Sequence, residues 1–192
     1  MKMLSKFIAL TGIVCFVLFF TIFSSTTYAH TVSNNGSESE GWVHGTHATS
    51  KTQKYFYVVG TEQFWRDRFN NGASYTSSET GNQLKMVNDS AINTNNYVEA
   101  QNVSNATWVA RTVYNTSGQH KTTWWIQFNS AYKNEYSNSQ WDRIAQHEIT
   151  HVFGLKDLYE NYNDYRLMWW QAGNYTGLTT AEKNGLKYIW GY

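Results

Sequence analysis

The sequence predicts an α+β domain, and three observations carry that prediction. Between Gln83 and Ser130 apolar and polar residues alternate with period two, as strands with one buried face require. Beyond Ser130, two segments repeat apolar residues at three- and four-residue spacing behind a capping pattern, the mark of amphipathic helices. Composition agrees: with no proline and 9 Trp, 14 Tyr and 10 Phe in 192 residues, the chain favours pleated, aromatic-rich surfaces.

The chain opens on what reads as an export signal. Lys2 and Lys6 form a basic head, Phe7 to Phe23 is an apolar run without charge, and Thr27 and Ala29 supply small residues where a signal peptidase inspects them. Cleavage after Ala29 and secretion are expected; since the run is long for a signal core and short for a spanning helix, an uncleaved amino-terminal anchor is the alternative. Cleavage leaves 163 residues (192 less 29), enough for one domain, and removes the only cysteine, Cys15. The mature chain then has no disulfide and no thiol with which to block a metal. Lys2 and Lys6 leave with the signal, so 15 basic residues become 13 against 14 acidic ones, a balance that supports neither nucleic-acid binding nor electrostatic membrane attachment. A monomer is expected. Asn105 and Asn115 head glycosylation triplets that matter only in a eukaryotic secretory pathway.

Residues 30–50, rich in Ser, Gly, Asn and Thr, read as a flexible leader or short pro-segment, and residues 51–192 as the domain. Tyr55 to Val59 is a first strand. Thr61 caps a helix carrying Phe64, Trp65 and Phe69, which Asn70, Asn71 and Gly72 stop. Strands then pass through Leu84 and Met86, through Trp108, Ala110, Thr112 and Tyr114, and through Trp124, Ile126 and Phe128; "NTSGQHK" at 115–121 joins the last two by a turn, a bulge or a longer loop. Ser137 and Gln140 form a capping box for a helix bearing Trp141, Ile144, Ala145, Ile149 and Val152, and Gly154 ends it. Thr179 and Glu182 open a final helix with Leu186, Ile189 and Trp190. There is no internal repeat.

The chemistry lies in "HEITHVFGLKD" at 147–157. Residues four apart share a helix face, so His147 and His151 can direct imidazole nitrogens to one ion, and zinc suits that pair. Glu148 projects beside it, where its carboxylate can reach a water and act as general base. Such a pattern also arises by chance on amphipathic helices. A capped helix behind a predicted sheet, an exported chain, and Gly154 and Asp157 following at regular spacing speak for a site.

Read as HExxHxxGxxD, the stretch His147, Glu148, His151, Gly154 and Asp157 resembles the metzincin zinc peptidases, and its ending in aspartate is similar to the snapalysin-type small secreted neutral proteases. The resemblance covers roughly Tyr55 to Tyr192, and only 147–157 is specific. It implies a metzincin-like fold: a twisted, mainly antiparallel or mixed sheet, an active-site helix, a methionine turn and a carboxy-terminal helix. It implies Asp157 as third ligand after the Gly154 turn, and Met168 in "RLMWW" as the methionine beneath the metal, where an ordinary core methionine is the plain alternative. Trp170 stands where some metzincins carry a tyrosine that supports the oxyanion, a departure that removes that help. The resemblance also places "TTWWIQFNS" at 122–130 on the sheet edge that pairs with substrate, which makes Trp124 and Trp125 substrate contacts; an interior strand is the other reading. Trp169 and Trp170 would line a pocket for a large apolar side chain after the cut.

The implied function is secreted, zinc-dependent hydrolysis of peptide bonds in protein or peptide substrates, with Glu148 as base and then acid, and a neutral to mildly alkaline optimum. Glu160 and Asp164 in "DLYENYND" are the alternative third ligands, a Ca2+ site, or simply a solvated loop. His44, His47 and His120 stand apart from the motif in surface or hydrogen-bonded roles, with a His44/His47 clamp over the zinc as a remote alternative. The rival function is an extracellular or surface binding module whose aromatics stack on glycans and whose zinc is non-catalytic; the lack of cysteine and the presence of Glu148 argue against it.

Overall fold

A computed structural model of the chain describes residues 32–172 and 176–192. The expected export signal, residues 1–29, lies outside the described residues; among those described, no helix is long and apolar enough to cross a membrane. The elements in chain order are β1 (Gly36–Ser37), β2 (Trp42–Val43), β3 (His47–Ala48), β4 (Thr52–Tyr57), α1 (Gln63–Glu79), β5 (Lys85–Asn88), β6 (Tyr97–Gln101), β7 (Ala110–Ser117), β8 (His120–Asn129), α2 (Asn138–Phe153) and α3 (Thr180–Trp190). The class is α+β.

The central sheet runs β5, β4, β6, β8, with β7 along one side of β8 and β3 continuing the line of β6 along the other. Every pairing in it is parallel except β7 with β8. A mixed sheet was expected, but a mainly antiparallel one is not what forms. The cause lies in the connections: α1 carries the chain from β4 over to β5, and such a crossover returns the next strand parallel. Only β7 and β8 are joined tightly, through Gly118 and Gln119, with Gly118 at φ 59°. A register shift at Asn115/Thr116 places a bulge just before that turn.

Both capping boxes form, at Ser137/Gln140 and at Thr179/Glu182, and Gly154 ends α2 in the left-handed conformation. The first helix departs from expectation. Its N-cap is Glu62 rather than Thr61, and it continues through Gly72 to Glu79. Gly72 is a contact point instead of a stop: a methyl group there would lie 2.7 Å from the Gln146 amide nitrogen and 2.8 Å from Ala145 Cβ, so α1 and α2 meet backbone to backbone. Around this contact, Trp65 of α1 stacks on Phe128 of β8 (5.3 Å between centroids) and meets Trp141 of α2 edge-on at 4.8 Å, all three fully buried.

Residues 32–50, expected as a flexible leader or short pro-segment, are ordered. Instead of a flexible leader they are folded onto the domain, with Trp42, His47 and Ala48 buried and β3 paired to β8. Trp42 lies against α3 where Gly185 leaves room for it. Polar composition concealed this because the segment earns its order through backbone pairing and one large aromatic, neither of which produces apolar periodicity. Nor did alternation reveal β6, whose Glu99 accepts a hydrogen bond from Gln127 on β8 at 2.5 Å.

Candidate metal centre

Helix α2 delivers the two histidines. Both are aimed by their Nδ1 atoms, which donate to carbonyl oxygens: His147 to Leu167 (2.7 Å) and His151 to Leu155 (2.8 Å). A carbonyl can only accept, so each neutral ring carries its lone pair on Nε2. The rings stand edge to face at 4.6 Å. Gly154, at φ 116°, then turns the chain, and Asp157 returns with Oδ1 3.1 Å from His147 Nε2 and 3.3 Å from His151 Nε2. A side chain at 154 would strike His47, since its Cβ would lie 2.8 Å from that of His47.

Three acceptor atoms that face one another repel unless a cation lies among them. His147, His151 and Asp157 are, among the described residues, the group of such side chains whose ligand atoms converge, all within 4.8 Å, and they could hold a metal ion. Protonation shows the same field. Burial disfavours a charged His147, yet the Asp157 hydrogen bond and the Glu148 and Asp157 charges override it and hold the imidazole up at about 9. Burial likewise opposes ionising Asp157, and the two histidines overcome it, keeping the carboxyl well below the usual range. Glu160 and Asp164, the alternative ligands, are exposed and do not join this group.

Glu148 is buried next to His147, and Thr112 on β7 donates to its Oε2 at 2.7 Å while lying 2.8 Å from its main-chain oxygen. Thr112 was visible only as one member of an alternating strand; nothing local in the sequence marks it. Met168 is fully buried directly after Leu167, the residue that orients His147. Its amide donates to Glu182 Oε1 (2.7 Å), while Glu182 Oε2 completes the cap of α3, so one buried carboxylate ties the methionine loop to the last helix.

The loop carrying Asp157 is held from outside by the amino-terminal segment. Lys156 N donates to Val43 O (2.9 Å) and Gly45 N to Gly154 O (2.7 Å), a short antiparallel contact centred on His44 and Leu155. Glu38 accepts from Tyr159 N (2.8 Å), from Asn163 Nδ2 (2.7 Å) and, more distantly, from Glu160 N (3.4 Å). His44, His47 and His120 cluster beneath this contact, with His47 centroids 5.5 and 4.6 Å from the other two, and none belongs to the His147 group.

Two cavities flank the centre. One, of about 460 Å³, is bounded by His147, Glu148, Trp108, Tyr136 and Trp170. The other, of about 500 Å³, is bounded by His151, Asp157, Tyr114, Lys121, Lys156 and Tyr159. Of the four tryptophans expected at a cleft, only Trp170, half exposed, reaches one. Trp169 is buried behind it. Trp124 is fully buried and donates to Gln53 Oε1 (2.9 Å), and Trp125 faces the opposite side of the sheet, stacked on Tyr97 at 5.6 Å. Their strand is interior because β7 covers its outer side, so the edge beside the site is β7. No protein-family model matches the chain, and no curated protein matches it.

Proposed function

We propose that the protein is a secreted, monomeric zinc endopeptidase of metzincin type, with His147, His151 and Asp157 as zinc ligands and Glu148 as general base and acid. One observation carries the reading: two Nδ1-anchored imidazoles and a carboxylate converge next to a buried glutamate that opens onto a cavity. Tetrahedral zinc with bonds near 2.0 Å needs ligand atoms about 3.3 Å apart, and the Asp157 separations of 3.1 and 3.3 Å fit. A mixed sheet with its one antiparallel strand, β7, at the edge beside the site is compatible with the metzincin comparison, and a buried methionine next to the residue that orients His147 supports it.

Zinc held by His147, His151 and Asp157 would supply a Lewis acid for the peptide carbonyl and would acidify a water molecule. Glu148 is placed to accept a proton from an attacking water and to return it to the departing nitrogen, and the Thr112 hydroxyl fixes its carboxylate for both transfers. The outer edge of β7 pairs with no strand among the described residues and offers main-chain hydrogen bonds to an extended peptide. The cavity bounded by Trp108, Tyr136 and Trp170 receives a large apolar side chain after the cut. The test is hydrolysis of casein or a quenched peptide by the wild type and by Glu148→Ala, with zinc content measured on both. Activity lost by several orders of magnitude with zinc retained supports the reading; zinc held by both proteins with no cleavage by either moves the binding-module alternative to first place.

A further inference from the structure

Lys121 is a buried amine that nothing in the proposed chemistry uses. It is 4 % exposed, its Nζ donates to Thr46 O, and it lies 4.5 Å from the centroid of the Tyr114 ring. No carboxylate forms an ion pair with it among the described residues. Burial, reinforced by the Lys156 charge, pushes the amine down to about 7. A buried cation without a counter-ion is costly, and where such a group lines a cleft it marks a place for an anion.

Lys121 and the exposed Lys156 bound the same cavity as His151 and Asp157. The acids nearby are already engaged: Asp157 by the two histidines, Glu38 by the amides of the loop and by Asn163. The direction of a bound peptide follows from β7. An incoming strand that runs antiparallel to it places its carboxy-terminal part near Ala110, beside the Trp170 cavity, and its amino-terminal part near Tyr114, beside Lys121. Thr112, at Glu148, and Tyr114 are two residues apart on one face, about 7 Å along the strand.

Resting on the peptidase reading, we propose that Lys121, assisted by Lys156, is a specificity-determining residue that binds an acidic side chain two or three residues before the scissile bond. The carboxylate supplies the counter-ion that the folded chain does not provide and accepts a charge-assisted hydrogen bond from Nζ.

The test compares quenched peptides that differ by a single Glu or Gln, walked through the four positions before the bond, with wild type, Lys121→Met and Lys156→Gln. The wild type should prefer Glu over Gln in kcat/KM by about tenfold at one of these positions, the value of one such hydrogen bond. The ratio should fall to near one in Lys121→Met and to an intermediate value in Lys156→Gln. A purely structural Lys121 would change rates for both peptides alike and leave the ratio intact, which overturns the proposal, as does a wild-type ratio near one at every position. Should Lys121→Met fail to fold, Lys156→Gln decides, because an unchanged ratio there removes the paired cations. Cleavage without preference refutes this inference alone; no cleavage of any peptide refutes the peptidase reading with it.

Discussion

Replacing Glu38 with alanine should weaken metal binding at a centre it never touches. The side chain makes two short hydrogen bonds to the Asp157 loop, to Tyr159 N at 2.8 Å and Asn163 Nδ2 at 2.7 Å. Hydrogen bonds to a charged group contribute about 1.5–3 kcal/mol each. Glu38 is partly exposed, so water replaces much of what Tyr159 N loses, whereas Asn163 is fully buried and its amide is not rehydrated. A net anchoring loss of about 2 kcal/mol is a reasonable sum. The Val43–Lys156 and Gly45–Gly154 hydrogen bonds remain and keep part of the loop in place. If the loop must be ordered before Asp157 can serve as a ligand, affinity falls by the population lost, at most about thirtyfold for about 2 kcal/mol. Competition against a chelator of known zinc affinity at pH 7 measures this, and Glu38→Gln should fall between wild type and alanine. A Glu38→Ala protein that melts earlier but binds zinc as tightly as wild type would refute the coupling of segment 32–50 to the metal.

Three further outcomes follow from the same geometry. Gly72→Ala gains about 1 kcal/mol of helix propensity but drives a methyl into the α2 backbone at 2.7 Å, costing about 1–3 kcal/mol; a lower Tm is expected, and a higher one would show that α1 and α2 separate freely. Thr112→Val should keep zinc content and lower kcat by about tenfold, since it removes the donor to Glu148 Oε2; zinc analysis beside kinetics separates this from loss of the metal. In metal-free protein the raised His147 pKa stabilises the fold fully below the unfolded value near 6.5, and that contribution disappears as pH rises through about 9. Melting in chelator should therefore decline across that interval, and calorimetry in buffers of different ionisation enthalpy should detect proton release on zinc binding near neutral pH.

The parts of this protein that were legible in its sequence are those fixed by local rules. Ser137/Gln140 and Thr179/Glu182 cap their helices as any such pairs do, and Gly154 occupies a backbone conformation that other residues resist. The four-residue spacing of His147 and His151 likewise needs only a helix. What escaped depends on partners distant in sequence. Alternation along residues 122–130 is the same for an interior strand and an edge strand, so it could not tell that β7 would cover β8 and bury Trp124. Gly72 has the local signature of a helix stop, and only the approach of Ala145 and Gln146 explains its place inside one. Residues 32–50 lack apolar rhythm, and their order comes from hydrogen bonds to residues 119 and 154–163.

The bulge at Asn115/Thr116 sets a ruler on the sheet's open border. The extra residue, Thr122, lies on β8 between the pairs Asn115–Thr123 and Thr116–Lys121, and the added twist of the hairpin there bends the outer border of β7 beyond Asn115. On the peptidase reading, a guest chain meets a straight rail only before that bend, enough to grip a few residues of an unfolded polypeptide, and a second copy of the same border meets the bend. The same irregularity works against edge-to-edge pairing of this disulfide-free sheet into fibres.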